Sequence, residues 1–201
     1  MSNDTYSCFA ELKKHEDENF YNIIYDMKNR SNVYAIMAPH GGKIELGTTE
    51  VSIAIARDDL SLYIFNANKP NNNKTLHITS SRFDEPHCEM MLKNVETVLA
   101  IHGAADPENG PKEIVWVGGN LSAAFEINLK ETLQPLGILV EINHRFTGNS
   151  PENICNRGTS QHGMQLELTK SLREKLRGDA QLLSKFSDAV RTAMIITYPE
   201  S

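Results

Sequence analysis

Apolar and polar positions along this chain fall into short blocks with two different periods. Residues 33–38, 60–65 and 98–101 are apolar runs of strand length, and 113–117 and 138–142 are two further ones. Runs of this kind, bounded by turn residues, predict strands covered on both faces. Residues 75–79 read as a short strand carrying His77. Met164, Leu166 and Leu168 alternate with Gln165 and Glu167, the period of a strand across 163–168. Between these blocks, apolar residues recur at helical spacing over 6–14, 48–57, 88–97, 122–133, 171–177 and 182–196. Residues 21–27 fit neither period. The stretches 66–73 and 147–160 are rich in Asn, Lys, Pro and Ser and read as loops. Strands alternating with helices predict an α/β fold, a three-layer sandwich around a mixed, largely parallel central sheet. With no internal repeat and no long linker, residues 1–201 are expected to form one domain.

Composition narrows the function classes. The chain has 201 residues, 40% of them hydrophobic and 23% charged, enough for a sizeable core. Its net charge of −6 argues against a general nucleic-acid binder, so a polyanionic partner would need a local basic patch. No apolar stretch has membrane-spanning length, so no membrane partner is expected. Residues 1–5 lack the basic and apolar regions of a signal peptide, which predicts synthesis and folding in a cytosol. Cys8, Cys88 and Cys155 are odd in number and widely spaced, so no disulfide framework or Cys-x-x-Cys metal motif is expected.

In parallel α/β sheets, reactive groups gather at the carboxyl ends of the strands. His40 comes two residues after the run 33–38, followed by Gly41, Gly42 and then Glu45. On one helix, side chains five apart point about 140° from each other. In one strand an odd offset puts them on opposite faces. His40 and Glu45 therefore converge only if the chain turns between them, and two glycines free the backbone to do so. The plain alternative is a glycine-rich connection with a polar rim. His102, with Gly103 behind it, ends the run 98–101 in the same way. His40, Glu45 and His102 form a two-histidine, one-carboxylate set suited to catalytic zinc, with the fourth position left for water. The alternative for His102 is a hydrogen-bonded structural histidine.

His144, beside Arg145, is the strongest rival ligand. His77 is expected in the core or behind a ligand, His15 and His87 at the surface, and His162 at either place. Glu167 shares a strand face with Gln165 on an otherwise apolar strand, and a buried carboxylate is costly unless paired or functional. A glutamate there suits the base that takes a proton from a metal-activated water. The alternative is a solvated residue on an edge strand.

Six blocks in order resemble the phage-type poly-γ-glutamate hydrolase family. They are Ala38-Pro39-His40-Gly41-Gly42-Lys43-Ile44-Glu45-Leu46-Gly47-Thr48, Leu76-His77-Ile78-Thr79-Ser80, Phe83-Asp84-Glu85-Pro86, Ile101-His102-Gly103, Asn153-Ile154-Cys155-Asn156-Arg157 and Gly163-Met164-Gln165-Leu166-Glu167-Leu168. The resemblance implies a zinc peptidase with a carboxypeptidase-like fold that cleaves γ-glutamyl links in capsular poly-γ-glutamate. It implies one Zn2+ held by His40, Glu45 and His102, with Glu167 as catalytic base. A phage-encoded enzyme of this kind acts outside the cell after host lysis, and a monomer is expected. Each γ-linked residue leaves one α-carboxylate free, and forked guanidinium groups match it. Arg82, Arg145 and Arg157, with Asn156, are the substrate-binding candidates. Two other readings stay open: a zinc amidase or peptidase of the same fold acting on another γ-glutamyl or peptide substrate, and a non-catalytic capsule-binding protein.

Overall fold

The computed structural model describes residues 4–200. Its seven strands are β1 (Tyr21–Asp26), β2 (Ser31–Gly42), β3 (Leu60–Ala67), β4 (Thr97–Ala104), β5 (Ile114–Gly118), β6 (Leu139–Ile142) and β7 (Met164–Thr169). They form one sheet in the order β1-β3-β2-β4-β7-β5-β6. The β2–β3, β2–β4, β4–β7 and β5–β6 pairs are parallel, and the β1–β3 and β5–β7 pairs are antiparallel. The helices are α1 (Phe9–His15), α2 (Thr48–Ala56), α3 (Pro86–Leu92), α4 (Ser122–Leu133), α5 (Lys170–Gly178) and α6 (Ala180–Thr197).

Strand alternation divides the apolar side chains between two cores. Ile36, Ile64, Leu99, Ile101 and Leu166 pack with residues of α2, α4, α5 and α6. Met37, Tyr63, Phe65, Val98 and Ala100 face the other way, against α1, α3 and the segment around Ile78 and Phe83. The result is the three-layer sandwich that the alternating pattern predicts.

One departure from strict alternation places the site. Ile36 and Ala38 face the α2–α6 side, and a regular strand would send His40 there too. The register between β2 and β3 shifts between Ala38 and Gly41, so three steps on β2 match two on β3. The extra residue turns His40 to the opposite face, the usual effect of a β-bulge. The same stretch needs glycine. Gly42 has φ +65°, and a Cβ there would meet the Ala67 carbonyl oxygen at 2.1 Å.

The structure departs from the expected elements in four places. Residues 75–79 are not a strand: a short 3₁₀ turn, Asn73–Leu76, is followed by extended chain. Residues 88–97 are not one helix, because α3 ends at Leu92 and β4 begins at Thr97. The ambiguous 21–27 stretch forms the antiparallel edge strand β1. His40 and His102 also lie within β2 and β4 instead of beyond them.

Candidate active site

The chain turns sharply after β2. The Glu45 amide donates to the His40 carbonyl at 3.0 Å, and the Thr48 hydroxyl donates to the Glu45 carbonyl at 2.9 Å. This loop swings the Glu45 side chain back over the sheet, where Oε2 accepts from the Gly103 amide at 2.8 Å. β4 lies beside β2 and presents His102 on the face to which the bulge has turned His40. Three side chains from two strands and a turn thus meet.

Their atoms crowd one point. His40 Nδ1 is 3.1 Å from His102 Nδ1 and 3.1 Å from Glu45 Oε1, and His102 Nδ1 is 3.7 Å from Glu45 Oε2. Two ligands about 2.0–2.1 Å from one tetrahedral ion are themselves about 3.3–3.4 Å apart. The other ring nitrogens are engaged elsewhere. His40 Nε2 lies 2.8 Å from the Ile78 carbonyl, which can only accept, so that nitrogen carries the proton and Nδ1 of the neutral ring keeps its lone pair. His102 Nε2 lies 3.3 Å from the Ser80 hydroxyl. Outer partners of this kind orient metal-binding imidazoles. The donor set therefore fits a zinc ion.

His77 is a competing neighbour, because His40, Glu45 and His77 also bring possible ligand atoms together. Its geometry is less favourable. The His77 ring stacks on His40, with centroids 4.0 Å apart and planes 27° apart, so the in-plane lone pairs run side by side instead of converging. His77 Nδ1 is also occupied by Asp4, at 2.7 Å.

Glu167 comes from β7, between β4 and β5 and not at an edge. It is in register with His102 on one side and with Trp116 on the other. Only 9% of it is exposed, which removes the solvated-edge reading. Gln165 Nε2 donates to its Oε1 at 3.3 Å. Burial pushes the Glu167 carboxyl up to about 7; Glu45 adds to the push, while His102 and Arg173 oppose it. Burial works the same way on Glu45, but the imidazoles of His40 and His102 outweigh it and hold that carboxyl well below the usual range. Burial lowers the His102 pKa, but Glu45 and Glu167 override it and raise the net value.

Arg173 is a buried support that no pattern in the chain singles out. Nε donates to the Leu168 carbonyl at 3.0 Å, one terminal nitrogen to the Ala104 carbonyl at 3.1 Å, and the other to the Leu46 carbonyl. Those carbonyls belong to β7, β4 and the turn after Glu45. A Cβ on Gly103 would sit 2.6 Å from Arg173 Cζ and 2.9 Å from Glu45 Cβ, so this packing requires a glycine.

A cleft of about 960 Å³ opens over His40, Glu45, His102 and Glu167. Of the four substrate-binding candidates, it takes in only Arg145. That guanidinium lies 5.5 Å over the Phe146 ring, which stacks on Trp116. Arg82 is instead paired with Asp4 at 2.5 Å. Arg157 donates to the Phe83 carbonyl at 2.8 Å and pairs with Glu89. Asn156 is buried and ties the loop together, donating to the Gly148 and Ser150 carbonyls at 2.7 and 2.9 Å. These three side chains are held away from the cleft by their own partners. His144, the rival ligand, is exposed and outside the cleft lining, as are His15, His87 and His162.

Residues 6–195 match the family described as poly-gamma-glutamate hydrolase. The UPF0714 protein YndL of Bacillus subtilis (strain 168) is 35% identical over 185 residues, covering 90% of this chain and 70% of that protein. A bacteriophage poly-gamma-glutamate hydrolase structure superposes with a TM-score of 0.87 at 31% identity, covering 98% of this chain and 99% of the other. The zinc-free apo form of YndL gives 0.85 at 31% identity, covering 98% and 100%. No helix among the described residues is long and apolar enough to cross a membrane.

Proposed function

The chain belongs to the poly-γ-glutamate hydrolase family, and from that premise we propose how its residues hydrolyse the γ-glutamyl amide bond. His40, Glu45 and His102 hold one zinc ion, and Glu167 is the general base. The observation that carries this reading is the convergence of His40 Nδ1, His102 Nδ1 and the Glu45 carboxylate, with separations of 3.1–3.7 Å. When bound, zinc supplies Lewis acidity, polarising the amide carbonyl and making water a better nucleophile at neutral pH. Ile78 and Ser80 fix the two imidazoles, and the Gly103 amide fixes Glu45. Glu167 takes the proton of the attacking water and delivers it to the departing amine. Its burial favours the neutral form, which strengthens it as the acceptor of that proton. Arg145 is the cleft cation placed to meet a substrate α-carboxylate.

The reading makes the whole chain one hydrolase domain and the capsule polymer its partner, with the protein acting as a monomer. The test is zinc content and depolymerisation of poly-γ-glutamate measured on the same preparations. His40→Ala and His102→Ala should lose zinc and activity but keep the fold. His77→Ala should keep zinc, and its loss there would move His77 into the ligand set. Glu167→Gln should keep zinc and slow the reaction by about 10²–10⁴-fold. Near-normal turnover in that variant would mean that another group is the base.

A further inference from the structure

We propose that Lys43, Lys74 and Lys170 form a carboxylate-binding subsite that holds the polymer beside the reaction centre. This rests on the substrate reading above and adds residues to it. The need for such a subsite is electrostatic. The chain carries 26 acidic residues against 20 Lys and Arg. The main cleft is itself acid-rich: Glu45, Asp106, Glu108 and Glu167 line it, with Arg145 the one Lys or Arg among its described lining residues. A polymer with one carboxylate per residue gains little attraction there.

A second pocket, of about 610 Å³, adjoins that cleft and shares Glu45, His77 and Gly103 with it. Its lining includes Lys43, Lys74 and Lys170. They come from three separate segments: the turn after β2, the 3₁₀ turn Asn73–Leu76, and the first residue of α5. The topology therefore gathers them from positions far apart in the chain. Their charges are weakly matched within the protein. Lys43 Nζ reaches the Lys69 carbonyl at 3.4 Å, and Lys170 stands 3.6 Å from Glu174. Lys74 makes no ion pair among the described residues. The pocket's other acids are committed, Asp4 to His77 and Arg82 and Glu45 to the two histidines.

The chemistry fits a γ-linked polyanion. Five backbone bonds separate successive residues, so their α-carboxylates recur about every 6 Å in an extended chain, and about one or two fit a pocket of this size. Ammonium groups on flexible stems act as point charges and accept carboxylates over a range of angles. That suits a repeating chain which must be held without one fixed register.

The test measures binding directly, in a zinc-loaded Glu167→Gln background where turnover is slow. The dissociation constant for poly-γ-glutamate is compared with that of the same protein carrying Lys43→Gln, Lys74→Gln and Lys170→Gln. Loss of three exposed charge contacts should weaken binding roughly tenfold and flatten its dependence on salt. Lys185→Gln, an exposed change on α6, should alter neither. Unchanged affinity and salt dependence in the triple variant, with wild-type enzyme active on the polymer, would overturn the subsite alone. Wild-type protein that neither binds nor cleaves poly-γ-glutamate would overturn the substrate reading and the subsite with it.

Discussion

Replacing Glu167 with Gln in the metal-free protein should stabilise it, and more so as pH rises. The folded protein holds this carboxyl near 7, mainly through burial, against an ordinary value of 4.5. The folded state thus keeps a proton that the unfolded chain releases. Wild-type stability from this group is fully present below about pH 4.5 and is lost as pH rises through about 7. At 1.36 kcal/mol per pK unit, the loss has a ceiling of about 3 kcal/mol. Glutamine has nearly the same shape and no proton to lose, so it avoids that loss. The advantage of Glu167→Gln over wild type should therefore grow from near zero at about pH 4.5 towards that ceiling above about pH 8. Urea unfolding of both chelator-treated proteins across this range reads it directly. An advantage that stays flat or shrinks with pH would refute the claim that Glu167 is held in a desolvated position.

Two other outcomes follow from the arginine and glycine environments. Arg145→Ala should raise KM for the polymer about 2- to 5-fold with little change in kcat, since an exposed ion pair is worth about 0.2–1 kcal/mol. Arg157→Ala should instead cost about 1–3 kcal/mol of folding stability, because it strips the Phe83 carbonyl and Glu89 of their partner; steady-state kinetics and denaturation on the pair separate the roles. Gly103→Ala should lower both stability and zinc affinity, because the new methyl lands on Arg173 and on Glu45 Cβ. Calorimetry and metal titration check this, and wild-type values in both would show that the packing yields.

Some of this site was legible in the chain and some was not, for physical reasons. Gly41 and Gly42 announced a turn, and the turn is what lets His40 meet Glu45. Glu167 stood out because an apolar strand has no other reason to bury a carboxylate. The bulge was hidden, since it arises from how β2 pairs with β3 and not from β2 alone. The positions of Arg82 and Arg157 outside the cleft were hidden because their sequence surroundings do not reveal distant counter-ions. Glu89 is 68 residues from Arg157 and Asp4 is 78 from Arg82, so each partnership exists only in the folded protein. Residues 75–79 read as a short strand, but Leu76 ends a 3₁₀ turn and Ile78 follows in extended chain, and both are buried against the second core without sheet pairing.

The three-carbonyl grip of Arg173 bears on how the enzyme fails. One rigid, planar cation joins the carriers of Glu45, His102 and Glu167, so none can drift without straining the other two. Warming or mild denaturant should not first loosen Glu167 and only later the His40–Glu45–His102 cluster. On the proposed assignment, zinc content and turnover measured on one preparation should fall together at the same temperature, and a species that keeps zinc but turns over slowly would refute the coupling. A lysine at this position would keep the charge but could not span three acceptors with fixed spacing. Thermal inactivation would then be governed by a residue whose side chain grips backbone carbonyls and is not among the proposed metal ligands.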